Sequence, residues 1–223
     1  MLKLALAVFR KDLRLALRGA GLVQSMLLGL LLVFLFSLSQ KTGETVPGQT
    51  AAAIFWLSSA FSQTLVFNML FSFEEANGAR TGLLLSPCPV TGIFLGKAMA
   101  GLVLILAAQL LFFPAVIVFL GQSPVGDAAG GAVMLVLGDL GLVALGSLLG
   151  ALSQGQTARE SLLSLLVFPL LAPLLLAAIR VFAALFGDAG ENSLSWLQFA
   201  AAFDAIFWAL SLLLFRFVYT GDD

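Results

Sequence analysis

The chain has 223 residues, of which 61% are hydrophobic and 10% charged, against roughly 25% charged in an ordinary soluble domain. A soluble fold could not cover so much apolar surface. With no histidine and one cysteine, His/Cys metal sites, Ser-His-Asp and Cys-His catalytic sets and histidine haem ligation are excluded by count, and the net charge of −1 says little until the placement of the basic residues is considered.

Residues 2–20 read as an amphipathic helix. At about 100° per residue, Lys3, Arg10, Lys11, Arg14 and Arg18 gather on one arc, and Leu2, Leu6, Phe9, Leu13 and Leu17 occupy the adjoining face. Such a helix lies in the membrane interface, apolar side in the acyl boundary and basic side toward anionic headgroups. A plain topology signal accounts for the same charges. Nothing else in the chain is basic or aromatic in the manner of a nucleic-acid-binding face, so nucleic acid is not an expected partner. No small-residue cleavage site follows, and the segment is expected to stay attached.

Six apolar runs come next, at 22–38, 51–73, 93–120, 132–152, 162–186 and 197–218. Runs of about 20 residues match the hydrocarbon thickness of a bilayer, where a helix satisfies its own backbone. The expected fold is therefore all-α: one transmembrane domain over 1–223, with six transmembrane helices and an interfacial helix over 1–20. Lys3, Arg10, Lys11, Arg14, Arg18, Arg80, Lys97, Arg159 and Arg216 fall on one side of that arrangement, and only Lys41 and Arg180 on the other. By the positive-inside tendency this asymmetry is expected to place both termini in the cytoplasm. The outer segments, 40–50, 121–131 and 187–195, are too short to hold a folded domain.

The most informative inner segment, 74–91, joins the second and third runs. Glu74 and Glu75 stand at the membrane exit, and Asn77-Gly78 breaks the helix. Residues 79–85 can form about two turns that end in Leu83, Leu84 and Leu85; Ser86-Pro87 and Pro89 stop them, and Thr91 can cap the next helix. A short helix, polar at one end and apolar at the other, suits a groove on a soluble partner. An ordinary connecting loop is the plainer alternative, although it has no need of three leucines in water. Cys88, between two prolines, reads as an incidental thiol. The stretch from Gly92 to Lys97 imitates a phosphate-binding loop but has three residues between its glycines and Ala98 after the lysine, so it fails that motif. Any use of ATP and Mg belongs to another polypeptide.

Ionisable residues inside membrane spans are costly and stand out as candidates. Asp139, Asp204 and Arg180 are the three, each with an ordinary use: hydrogen-bonded packing for the acids, and snorkelling to the outer interface for Arg180 rather than pairing with one of them. Glycines 138, 141, 146 and 150 give the fourth run a smooth face that lets backbones approach. Pro169 and Pro173 should loosen the fifth run and make it a hinge. Before it, Arg159 and Glu160 form a charge pair at the inner surface, either a helix anchor or a secondary cytoplasmic contact.

Three stretches resemble a known family: F-E-E-A-N-G-A-R-T-G-L-L-L-S-P at 73–87, A-R-E-S-L-L-S-L-L-V-F-P-L-L-A-P at 158–173 and F-D-A-I-F at 203–207. They are similar to the CcmB family, haem exporter protein B of cytochrome c maturation, an ABC-2-type exporter membrane subunit, and the likeness runs nearly the whole length. The resemblance implies a non-catalytic permease subunit working with a cytoplasmic CcmA-like ATPase, CcmC- and CcmD-like membrane proteins and a second copy of itself. It also implies that Glu74, Glu75, Gly78, Arg80, Leu83, Leu84, Leu85, Ser86 and Pro87 form a coupling helix against the ATPase. Asp139 falls where this family is expected to carry a small or hydroxyl residue. No side chain is an obvious haem ligand, so haem is read as cargo of the complex and its recognition as a partner's task. Two other readings fit the residues: an ABC-2 permease for another lipophilic substrate, and a scaffold that docks the ATPase driving release of a haem-loaded chaperone.

Overall fold

Long unbroken apolar sequence with few helix breakers leaves the backbone one way to satisfy itself in a bilayer, and the computed structural model is helical wherever the chain carries regular structure among the described residues. These are residues 1–40, 46–76, 78, 82–83, 89–153, 157–188 and 192–220, the side chains of 75–76, 157–167 and 220 excepted. The helices are α1 (Leu2–Arg18), α2 (Ala20–Ser39), α3 (Gly48–Ala76), α4 (Val90–Phe119), α5 (Ala128–Ser153), α6 (Thr157–Leu185) and α7 (Ser193–Thr220). The last six each contain a segment long and apolar enough to cross a membrane. This is a multi-pass membrane protein, with spans within a few residues of those expected.

Helix α3 lies at the centre, packed against α2, α4, α5 and α6, while α7 packs mainly on α5. Their meeting surfaces are built from glycines on one helix and large side chains on another. Phe67 of α3 sits between Gly101 of α4 and Gly146 of α5; Trp56 fills the space beside Gly138, and Phe71 that beside Gly150. The glycine face of α5 is thus a row of sockets for aromatic side chains. The close backbone approach expected from Gly146 and Gly150 is replaced by knobs from α3, because aromatic bulk on that helix occupies the space the glycines leave. Two α7 side chains hold α5 by its backbone: Trp208 Nε1 donates to the Leu140 carbonyl at 3.1 Å and Ser211 Oγ to that of Ala144 at 3.0 Å.

Helix α1 has a third face beyond the basic and leucine arcs. Ala5, Val8, Asp12 and Ala16 recur at helical spacing and are buried, packed along α4. Gly92 and Gly96 form the notch that receives Leu4, Val8 and the backbone of Ala5. The glycines of the false phosphate loop therefore serve docking of α1. Leu2, Leu6 and Leu17 stay outward-facing, as an interfacial helix requires.

Helix α3 ends at Ala76 and Gly78 takes a left-handed conformation, φ +64°, which fits a helix break at Asn77-Gly78. Thr91 does not cap α4. Pro89 occupies the N-cap position, with the Gly92 N–H donating to its carbonyl at 2.8 Å; the fixed φ of proline suits the first turn, leaving Thr91 inside the helix. At the opposite end of the bundle the short connections lock to one another. Gln122 Nε2 donates to the Val46 carbonyl at 2.8 Å, and the Gln49 N–H donates to Asp188 Oδ2 at 2.7 Å.

Candidate functional site

Where α1, α3, α4 and α7 converge, beside the root of segment 74–91, four charged side chains and a tyrosine meet. Lys97 of α4 is wholly buried, and its Nζ lies 3.4 Å from Asp12 Oδ2, 3.1 Å from Glu74 Oε1 and 2.8 Å from the Leu70 carbonyl. Three acceptors match the three protons of an ammonium. The same nitrogen stands 4.4 Å from the centre of the Phe71 ring, a cation–π distance. Lys11 approaches from the rim, 3.1 Å from Asp12 Oδ1 and 2.9 Å from Glu74 Oε1. Tyr219, near the end of α7, donates to Glu74 Oε2 at 2.9 Å and stacks on Phe215 at 5.2 Å.

Two cations and two anions make the cluster neutral, the condition under which buried charge is tolerated. Burial works against the ammonium of Lys11, yet the Asp12 and Glu74 carboxylates outweigh it and hold its pKa above the ordinary 10.5. Because the folded value is the higher one, this pairing is fully present below 10.5 and is lost only as the pH rises through the folded value. Physiological pH leaves it intact.

Of the residues expected to form the coupling segment, Glu74 is turned into the bundle, 1% exposed, so any part it plays at a partner runs through the segment it anchors. Gly78 is exposed and Leu83 packs partly against the core. The side chains of Glu75, Arg159 and Glu160, and residues Arg80, Leu84, Leu85, Ser86, Pro87 and Cys88, lie outside the described residues. Asp12, the tyrosine and the inward aim of Lys97 were not evident from sequence. One signal for Asp12 was available: an acid set among the basic residues of α1, in register with Ala5, Val8 and Ala16.

A second polar group lies within the spans. Asp139 of α5 is fully buried, and Gln109 of α4 donates through Nε2 to its Oδ1 at 2.7 Å and to Ser59 Oγ of α3 at 3.2 Å. Gln109 and Ser59 were hidden in apolar runs. Asp204 leans on Gly141, and neither of its oxygens finds a hydrogen-bond partner among the described residues. Arg180 is exposed on α6, and the ion pairs among the described residues join it to neither acid. Pro169 and Pro173 are outward-facing, and α6 runs through both as one helix.

The family model described as CcmB protein matches residues 3–218. The chain belongs to the CcmB family. It is 28% identical over 180 residues to the heme exporter protein B of Haemophilus influenzae, covering 80% of this chain and 81% of that one. The protein of the same name from Paracoccus denitrificans is 29% identical over 204 residues, 88% and 89% of the two chains. That of Escherichia coli K12 is 33% identical over 94 residues, 42% and 43%. The CcmB match spans both ends of the ionic cluster, from Lys11 and Asp12 through Lys97, and stops one residue short of Tyr219.

Proposed function

We propose that the chain is the non-catalytic membrane subunit of a haem-handling exporter complex in cytochrome c maturation. It sits in the bacterial inner membrane with both termini in the cytoplasm and works with a separate CcmA-like ATPase, CcmC- and CcmD-like proteins and a second copy of itself. Gly78, Arg80, Leu83, Leu84, Leu85, Ser86 and Pro87 meet the ATPase with Glu75, and Arg159 with Glu160 adds a second contact. Glu74 holds the root of that segment.

The observation that carries this reading is the convergence on Glu74. Its carboxylate is gripped by Lys11 of α1, Lys97 of α4 and Tyr219 of α7, so displacement of the segment that follows is passed to three other helices at once. A loop with no mechanical task has no use for a buried ionic anchor at its base, where each charge carries a desolvation cost. Complementation tests the reading. In a bacterium deleted for its own haem exporter protein B, expression of this chain with its cognate ATPase restores haem-stained c-type cytochromes; normal membrane levels of both without restoration contradict it.

A further inference from the structure

We propose that α1 carries a binding surface for anionic phospholipid headgroups, formed by Lys3, Arg10, Arg14 and Arg18. The haem-handling assignment makes no use of these four residues, and the surface is independent of it. All four are exposed, and no ion pair among the described residues joins them to an acid. The one acid of α1, Asp12, is buried on another face. Lys11 alone leaves the basic arc, drawn in to Asp12 and Glu74. The cluster is thereby neutral, while the other four basic side chains stay on the outside of the helix.

The docking of α1 decides what that arc faces. The buried stripe of Ala5, Val8, Asp12 and Ala16 fixes the roll of the helix. At about 100° per residue, the basic arc is centred nearly opposite this stripe, and the exposed Leu2, Leu6 and Leu17 fill the turn between them. The level of α1 is fixed as well. Leu4, Ala5 and Val8 meet Gly92 and Gly96 in the first turns of α4, and Gly19 lies beside Phe73 in the last turn of α3. These are the ends of two membrane spans, and a third begins at Ala20. Helix α1 therefore lies at the bilayer boundary, its leucines toward acyl chains and its basic arc turned away from the bundle, where the lateral neighbours are headgroups. A guanidinium grips phosphate oxygens through two parallel N–H bonds, and each basic residue at an anionic surface favours it about fivefold. A plain topology signal needs the charges but not their segregation from the leucines. An acidic soluble protein would match the charges and leave Leu2, Leu6 and Leu17 in water.

The test uses the full chain in nanodiscs of phosphatidylcholine with a minor share of phosphatidylglycerol. A fluorophore is attached at Leu6→Cys in a Cys88→Ser background, and its quenching by chain-brominated phosphatidylglycerol is compared with that by phosphatidylcholine brominated likewise. Val118→Cys, exposed at the far end of α4, is the reference site. The expected result is a roughly three- to tenfold local preference for the anionic lipid at position 6 and near parity at position 118. The preference falls in about 0.5 M salt, where charges are screened within a few ångströms. Arg10→Gln with Arg14→Gln cuts it by at least half while quenching by the neutral lipid persists, which shows that α1 still lies at the interface. Arg10→Lys with Arg14→Lys keeps it. If the glutamine pair also loses neutral-lipid quenching, Lys3→Gln with Arg18→Gln takes its place. Parity at position 6 in the unaltered protein, or a preference untouched by loss of the arginines, overturns the proposal. Removal of the preference by glycerol phosphate at matched ionic strength also overturns it, since that marks a site for free phosphate. Parity together with loss of the partner ATPase by the glutamine pair in pure phosphatidylcholine overturns it in favour of an acidic protein surface.

Discussion

Lys97 Nζ lies 3.1 Å from Glu74 Oε1, and both side chains are withdrawn from their surroundings, 0% and 1% exposed. One residue therefore ties the helix that enters segment 74–91 to the helix that leaves it. Removing one member of a buried charge group costs more than the pair contributes, because the partner is left uncompensated, typically 3–5 kcal/mol. Lys97→Met is expected to lower stability by about that amount, read as reduced folded yield and a lower midpoint in detergent melts. Adding Asp12→Asn restores neutrality around Lys11 and Glu74, so the double variant is expected to be more stable than the sum of the single losses. Simple additivity would mean that the charges act independently.

Much of this architecture was legible in the sequence, and the reasons are local. A span announces itself because the bilayer fixes its length and composition, and the break after Ala76 because Asn-Gly permits a left-handed turn. The ionic cluster was not legible. Lys97 looks like any basic residue at a membrane boundary, and nothing near it in sequence points to Asp12, 85 positions away, or to Tyr219. Likewise the glycines of α5 revealed a packing face, while their occupants, Trp56, Phe67 and Phe71, could be assigned only once α3 was placed. Asp139 stood out as an acid; its hydrogen bond to Gln109 depends on the register between α4 and α5.

Helix α6 carries Pro169 and Pro173 without interruption, and each removes a backbone hydrogen bond from the ladder. Replacing both by Leu is expected to leave insertion and assembly intact while slowing haem delivery or its coupling to ATP use, since the loosened helix would be stiffened. Normal delivery by a normally expressed double variant counts against a hinge.

The orientation proposed from basic residues is checked by labelling in intact cells with a membrane-impermeant maleimide. A Thr45→Cys variant is expected to react from the periplasm, and the native Cys88 to be protected until the membrane is opened. Protection at position 45 or reaction at Cys88 reverses the topology.

Segment 74–91 is proposed to hold the ATPase while the Lys97 cluster anchors that segment. Exposed ion pairs are worth at most about 1 kcal/mol, whereas burying a leucine contributes roughly 1.5–3 kcal/mol. The leucines should thus dominate affinity, and the charges orientation and salt sensitivity. The most direct measurement is the amount of partner ATPase that co-sediments with membranes carrying each variant at matched expression. Changing Leu84 and Leu85 together to Ser is expected to release the ATPase into the soluble fraction, while Glu75→Gln retains it but weakens coupling. Wild-type retention of the ATPase by the double leucine variant would rule out segment 74–91 as its docking site.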